Sequence, residues 1–181
     1  MKPSAMLPVN ENILKARFPL VYKRIIDIGP RMPTDFYYEN LDDSFQLMIQ
    51  RGEYSFPAYG AYKRDKILKR WYGGLVMAKE SLYAITGFGD GSHLNYFLKE
   101  SGTGTVFLAA EKDPALLRET FARFDLSELL SNDRFILGVG SLDDEYFNDI
   151  QGAALTGVND VNSLIFSPLH AVDEGYYDKM R

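Results

Sequence analysis

The sequence predicts an α/β fold, a three-layer Rossmann-like parallel sheet of about four to five strands in residues 81–181, preceded by a helical and β-hairpin N-terminal extension. Three observations predict it. A buried strand, Leu82–Thr86, runs into a glycine-rich turn and then a helix. The next strand ends in an acid, Glu111. Apolar runs then alternate with helical patterns, which indicates parallel strands joined by crossover helices.

Composition describes a globular protein with an ordinary core. The chain has 181 residues, of which 46% are hydrophobic and 25% charged, and 24 are Phe or Tyr. No cysteine is present, which excludes disulfides and thiolate chemistry and makes the cytoplasm the natural compartment. No apolar run approaches the length of about 18 residues that a membrane span requires. We expect a boundary near residue 79, between the extension (1–79) and the Rossmann-like domain (80–181).

Charge is divided unevenly along the chain, whose total is −5. Residues 1–80 carry a net charge of +4, and residues 81–181 carry −9. The acidic Rossmann-like part argues against nucleic-acid binding there. The basic run 63–70 is typical of the solvated face of a helix, although a phosphate-binding patch is the alternative.

The extension is expected to contain helices and a small antiparallel sheet. Asn10 is the predicted N-cap of a helix that continues to about Ile28, with a kink or break at Pro19. Residues 35–39, 44–50 and 54–56 predict a hairpin or a three-stranded meander. A basic, amphipathic helix is expected over 61–79.

The Rossmann-like part is expected to alternate strands and helices. The predicted strands are 82–86, 105–110, 134–139 and 163–166. The predicted helices are 92–99, 113–124, a short turn at 126–130, and one beginning at 141. Asp113 is expected to cap its helix, because Pro114 follows it at the first helical position.

The candidate ligand site lies at the ends of the first strands. Its residues share the edge of the sheet where Rossmann-like domains bind ligands, and they are Gly87, Phe88, Gly89, Asp90, Gly91, Glu111 and Asp143. Glycines allow close backbone approach, and a carboxylate in the position of Glu111 accepts hydrogen bonds from ribose hydroxyls. Ser92 replaces the third glycine of a dinucleotide motif, and Asp90 would repel a pyrophosphate. The pattern therefore favours an adenosyl ligand without phosphates, such as S-adenosylmethionine, and a purely structural turn is the alternative.

Other polar residues near this edge have simpler interpretations. His93 is expected to lie on the surface, with a ligand contact as the alternative. Asp144 and Asp143 fit a helix N-terminus as well as an adenine contact. His170 follows the fourth strand towards the ligand edge. No catalytic set emerges, because the chain lacks a cysteine nucleophile, a Gly-x-Ser-x-Gly elbow and paired histidines.

The residues of the turn resemble motif I of class I S-adenosylmethionine-dependent methyltransferases, over about 81–168. Gly87–Gly91 matches that motif, and Glu111 matches the acid after the family's second strand. The resemblance implies S-adenosylmethionine binding at these positions. Ile85 stands where the family usually has an acid.

A second resemblance covers nearly the whole chain. The matching segments are 12–19, the hairpin region, 86–94, 110–114, 124–126 and 170–177. They resemble the N-terminal domain of motility accessory factor (Maf) proteins, bacterial flagellin glycosyltransferases. The resemblance implies a Rossmann-like accessory domain ahead of a separate transferase domain.

Three functions therefore stay open. The first is a non-catalytic accessory domain serving a glycosyltransferase or a flagellin-type protein. The second is a methyltransferase completed by other strands, and the third is a nucleotide-sensing module. Neither a membrane nor nucleic acid is expected as a partner. Homo-oligomers are possible because a sheet this short is expected to have exposed edges.

Overall fold

A computed structural model describes residues 5–29, 31, 33–42, 44–59, 64–73, 80–140 and 160–166 of the chain. The helices are α1 Pro8–Arg17, α2 Pro19–Asp27, α3 Arg64–Gly73, α4 Ser92–Glu100, α5 Pro114–Arg123 and α6 Ser127–Ser131. The strands are β1 Phe36–Leu41, β2 Ser44–Arg51, β3 Tyr54–Pro57, β4 Ser81–Thr86, β5 Val106–Glu111, β6 Phe135–Val139 and β7 Asp160–Ile165.

The main sheet has four parallel strands in the order β6-β5-β4-β7. The chain builds outward from β4 through β5 to β6 and then returns to the other side of β4 for β7. Strand order reverses between β4 and β7, and the carboxyl ends of strands at such a switch point are where Rossmann-like folds bind ligands. The sheet confirms the predicted α/β fold, with four strands in the described part of residues 81–181.

The N-terminal helices pack on this sheet through one continuous apolar core. Leu14, Val21 and Ile25 are fully buried against strand residues such as Phe107 and Leu137. Proline breaks the predicted long helix as expected, since α1 ends at Arg17 and Pro19 occupies the first turn of α2. The predicted domain boundary near residue 79 stays a prediction.

Asn10 has a different role from the one its sequence suggests. The prediction that it caps a helix is wrong, because α1 begins at Pro8 and Asn10 lies inside it, fully buried. Its amide donates to the carbonyl oxygens of Phe121 (2.9 Å) and Phe124 (2.6 Å) and accepts from the Leu126 amide (3.0 Å). The side chain thus satisfies backbone groups of the α5–α6 connection, a tertiary task that outweighs its capping preference.

The extension also contains a three-stranded antiparallel sheet in the order β1-β2-β3. Its register pairs Phe36 with Ile49 across β1 and β2, and Ile49 with Phe56 across β2 and β3. The predicted meander is therefore confirmed. The predicted helix over 61–79 is confirmed for 64–73, and the predicted helix at 141–147 lies outside the described residues.

Candidate functional site

The glycine turn after β4 lies at the switch point between β4 and β7. Its three glycines have positive φ angles of 94° (Gly87), 55° (Gly89) and 78° (Gly91), which sharply reverse the backbone before α4 begins at Ser92. Every residue from Gly87 to Gly91 is buried. A turn that receives a ligand presents open backbone, whereas this turn is covered by the protein's own side chains.

Glu111 lies at the carboxyl end of β5 and is bonded to the turn. Its Oε2 accepts from the Phe88 amide (2.9 Å) and its Oε1 accepts from the Asp113 amide (3.1 Å). The side chain is fully buried, and this burial raises its pKa to about 7 against an ordinary value of 4.5. The Glu111 carboxyl group, one of two acids here that could bind a ligand, is therefore already hydrogen-bonded to backbone amides.

Asp90 is the second buried acid of the turn. Its Oδ1 accepts from the Ser92 amide (2.9 Å), which is the first amide of α4. Its Oδ2 lies 3.2 Å from the Arg64 guanidinium, but that contact lacks hydrogen-bond geometry, and no hydrogen bond reaches this oxygen within the described residues. Burial raises the pKa of Asp90, and the Arg64 charge opposes the rise.

The amides that could hold a phosphate are consequently taken by carboxylates of the chain itself. Glu111 occupies the Phe88 amide and Asp90 occupies the Ser92 amide. A helix N-terminus binds anions through free N–H groups, and here the first N–H group of α4, that of Ser92, faces the Asp90 carboxylate instead. The geometry is therefore unfavourable to a pyrophosphate, and that the turn does not suit a dinucleotide stays a prediction.

His93 is buried, so the prediction that it lies on the surface is wrong. Its Nε2 lies 3.0 Å from the Gly87 carbonyl oxygen, which can only accept, so Nε2 carries the proton. Its Nδ1 lies 2.7 Å from the Tyr59 hydroxyl and accepts from it. Burial lowers the pKa of His93 to about 3, which keeps the ring neutral.

An aromatic cluster fills the crevice at the switch point. Phe166 follows β7 and stacks on His93 with ring centroids 4.3 Å apart. Tyr59 lies 5.1 Å and Trp71 lies 6.1 Å from the same phenyl ring. A β-carbon added to Gly89 would lie 2.8 Å from Phe166 Cε1, so the phenyl ring packs directly on the turn.

The structure brings together most of the predicted site residues. Gly87–Gly91 and Glu111 meet in one buried region, whereas Asp143, Asp144 and His170 lie outside the described residues. Asp113 caps α5 as predicted, because its Oδ1 accepts from the Ala115 amide (2.9 Å). Whether any of these residues binds a ligand stays a prediction.

The residues that contact this region but were not identified from the sequence include Tyr59, Arg64, Thr120 and Phe166. Phe166 had a usable signal, since it directly follows a strand beside the switch point. Tyr59 and Arg64 come from the extension and carry no local pattern that places them on the turn.

The described residues contain no group of three or more His, Cys, Asp or Glu side chains that could hold a metal ion. None of the described helices is long and apolar enough to cross a bilayer.

The opposite pKa shifts of Glu111 and His93 predict how stability depends on pH. Between pH 4.5 and about 7 the folded protein keeps a proton on Glu111 that the unfolded chain releases, so the free energy of unfolding falls as pH rises. Between pH 6.5 and about 3 the unfolded chain protonates His93 before the folded protein does, so stability falls as pH drops. Each shift corresponds to at most roughly 3–5 kcal/mol.

Glu111→Gln separates the two trends. The variant is less stable near pH 5, because its side-chain NH₂ faces one of the two backbone N–H groups that donate hydrogen bonds to Glu111. Its loss of stability from pH 5 to pH 8 is smaller than that of the unaltered protein. Urea unfolding from pH 5 to pH 8 measures the stability at each pH and its change with pH, and the substitution Glu39→Gln at an exposed position is the control. If the free energy of unfolding changed with pH in parallel for the unaltered protein and Glu111→Gln, the assignment of this pH dependence to Glu111 would be wrong.

Comparisons with known proteins place the chain in no family. No protein-family model matches it, and no curated protein matches it. The strand order and the glycine turn define it as a Rossmann-like α/β domain. The comparisons give no support to the resemblance to Maf proteins.

One similar solved structure is a fibrillarin from Aeropyrum pernix, crystallised with natively bound S-adenosyl-L-methionine. The two chains share 17% identity with a TM-score of 0.34, over 71% of this chain and 60% of the fibrillarin chain. This chain thus spans less than two thirds of that protein, and a likeness of this size defines no activity.

Proposed function

We propose that this chain is a non-catalytic Rossmann-like domain with an accessory or binding role. The observation that carries the proposal is the filled crevice, in which Phe166, His93 and Tyr59 occupy the place where Rossmann-like enzymes bind a ligand. The hydrogen bonds of Glu111 and Asp90 to backbone amides support it, because both acids have structural partners.

The partner that the sequence suggests is a glycosyltransferase domain of the Maf type or a flagellin-type protein, in the bacterial cytoplasm. Only the resemblance of segments such as 86–94 and 110–114 supports this finer proposal. In a complex with such a partner, this domain would have an accessory role and would catalyse no reaction itself.

A second candidate function is binding of S-adenosylmethionine or a related nucleoside. It is favoured by the position of Glu111, whose carboxyl group reaches the turn from the end of β5. It also gains from Asp90 Oδ2, a buried acceptor with no hydrogen bond among the described residues. A ligand in this position would have to displace Phe166, since that ring lies against Gly89.

Calorimetric titration with S-adenosylmethionine, S-adenosylhomocysteine and CMP tests the two candidates. An accessory role in which the glycine turn is purely structural predicts no heat of binding with any of the three. Micromolar binding of S-adenosylmethionine that Glu111→Gln abolishes and Glu39→Gln preserves would overturn it and establish the second candidate. Thermal unfolding of both variants, measured beforehand, shows that each is folded at the temperature of the titration.

A further inference from the structure

We propose that the three-stranded sheet and α3 together form a cover over the switch-point crevice and that this cover moves away from it as one unit. The Arg64–Asp90 ion pair holds the cover closed. The cover comprises the described residues of 36–73. It supplies Tyr59, Arg64 and Trp71 to the crevice, while the turn and Phe166 belong to the main sheet. The consequence is controlled solvent access to His93 and Phe166, which the cover buries, while Phe166 stays packed on Gly89 of the turn.

The cover has an apolar core of its own. Of the buried residues in this second cluster, six belong to the cover: Phe36, Leu47, Ile49, Ala58, Tyr59 and Leu68. Among the described residues, Leu116 and Phe166 are its buried members from the rest of the chain. In the described part of the chain, the large core under the sheet takes its buried members from residues 6–25 and 83–139, and from the cover it includes the partly buried Trp71 and Tyr72. The two clusters meet at Trp71 and Tyr96, which pack against both. A segment whose buried contacts are mostly its own can open locally without unfolding of the rest of the fold.

Among the described residues, several polar contacts join the cover to the turn and its neighbouring helices, and one is the hydrogen bond that the Tyr72 hydroxyl donates to the Glu100 carbonyl oxygen (2.7 Å). The Tyr59 hydroxyl donates to His93 (2.7 Å), the Tyr38 hydroxyl lies 2.6 Å from the Thr120 hydroxyl, and Arg64 pairs with Asp90 (3.2 Å). Polar groups of this kind can exchange their partners for water when the cover lifts, which lowers the cost of opening compared with a wholly apolar contact.

The ion pair has the largest influence on the equilibrium between the closed and open forms of the cover, because Asp90 is buried whereas Arg64 is partly exposed. The Asp90 side chain is 0% exposed and that of Arg64 is 30% exposed. A buried carboxylate that loses its cation is strongly destabilised until water reaches it. Removing the guanidinium therefore penalises the closed form, in which Asp90 stays dry, more than the open form, in which Asp90 is hydrated.

Thiol labelling measures the opening, since the chain has no cysteine of its own. Leu116→Cys places a thiol under the cover, and Ala109→Cys places one in the main core. Each is made alone and combined with Arg64→Gln, and the rate of reaction with an aromatic disulfide is followed. The matched control is Lys66→Gln, which removes the same charge from the exposed face of α3.

The expected result is that the thiol of Leu116→Cys reacts faster than the thiol of Ala109→Cys. Arg64→Gln should accelerate the thiol under the cover by about tenfold or more, as expected for a buried charge left unpaired, and leave the thiol in the main core unchanged. Lys66→Gln should change neither rate. Equal rates at both positions in the Arg64→Gln background would overturn the proposal, because they mean that the thiols react only through global unfolding.

A second measurement avoids the cavity that Leu116→Cys creates. Trp71 is the single tryptophan and packs on His93 (5.8 Å) and Phe166 (6.1 Å), so its quenching by acrylamide reports opening in the cysteine-free protein. Arg64→Gln and Tyr59→Phe should each raise the quenching constant, and Lys66→Gln should not. No increase in either of the first two variants would overturn the proposal. Both readouts need no ligand, so their result is independent of whether the crevice binds one.

Discussion

Gly89→Ala is expected to destabilise the protein by roughly 2–4 kcal/mol. Two costs combine at this position. The backbone has a φ of 55°, which an alanine adopts only with strain, and the new β-carbon would lie 2.8 Å from Phe166 Cε1. Relief requires the phenyl ring to move, and that ring is stacked on the buried His93. Urea unfolding followed by circular dichroism measures the change in the free energy of unfolding.

Gly52→Ala is the matched control for this substitution. Gly52 has a nearly identical φ of 62°, but a β-carbon there meets nothing within 4 Å. It should cost only the strain of the backbone, about 1–2 kcal/mol. Phe166→Leu combined with Gly89→Ala should recover part of the loss, giving a coupling energy between the two sites. Equal destabilisation by both glycine substitutions would contradict the packing of Phe166 on the turn.

Asn10→Ala is expected to lower the free energy of unfolding by roughly 3–5 kcal/mol. The substitution removes the partner that Asn10 supplies to the Phe124 carbonyl oxygen and the Leu126 amide, while the Phe121 carbonyl oxygen keeps the hydrogen bond from the Leu7 amide (3.0 Å). The Asn10 side chain is fully buried, so water does not readily replace it. Thermal or urea unfolding measures the loss.

Two further substitutions define the origin of this effect. Asn40→Ala, on an exposed position of β1, should change stability by no more than about 0.5 kcal/mol. Asn10→Asp keeps the acceptor for the Leu126 amide but replaces the donor that faces two carbonyl oxygens with a carboxylate oxygen. It should be at least as destabilising as alanine near pH 7 and less so at acidic pH. A pH-independent effect of Asn10→Asp would contradict the assigned hydrogen bonds.

The parts of the fold that depend on local signals were predictable from the sequence. Asp113 caps α5 because the residues next to it, Pro114 and Ala115, already set the helix start. Pro19 separates α1 from α2 because a proline in a helix interior removes a hydrogen bond and clashes with the preceding turn. The alternation of apolar runs and helical patterns predicted the parallel strands. It also predicted that Glu111 lies at the end of a strand.

The environment of the site was not predictable, since it depends on residues far away in the chain. Glu111 is placed by β5, but its burial and raised pKa come from the packing of the whole region. His93 was misplaced because Tyr59 and Phe166, which bury it, lie 34 residues before and many residues after it. Asn10 was misinterpreted for the same reason, as its partners lie more than 110 residues away.

The hydrogen bonds of Asn10 also bear on synthesis of the chain. Leu126, whose amide donates to Asn10, is made 116 residues after it. At translation rates of about 5–20 residues per second, α1 waits roughly 6–23 s before its last partner has been added. During that time Leu14, Val21 and Ile25 lack the sheet residues that bury them. Helices α1 and α2 are thus synthesised well before the residues that bury them, and until then the nascent chain exposes an apolar surface suited to chaperones.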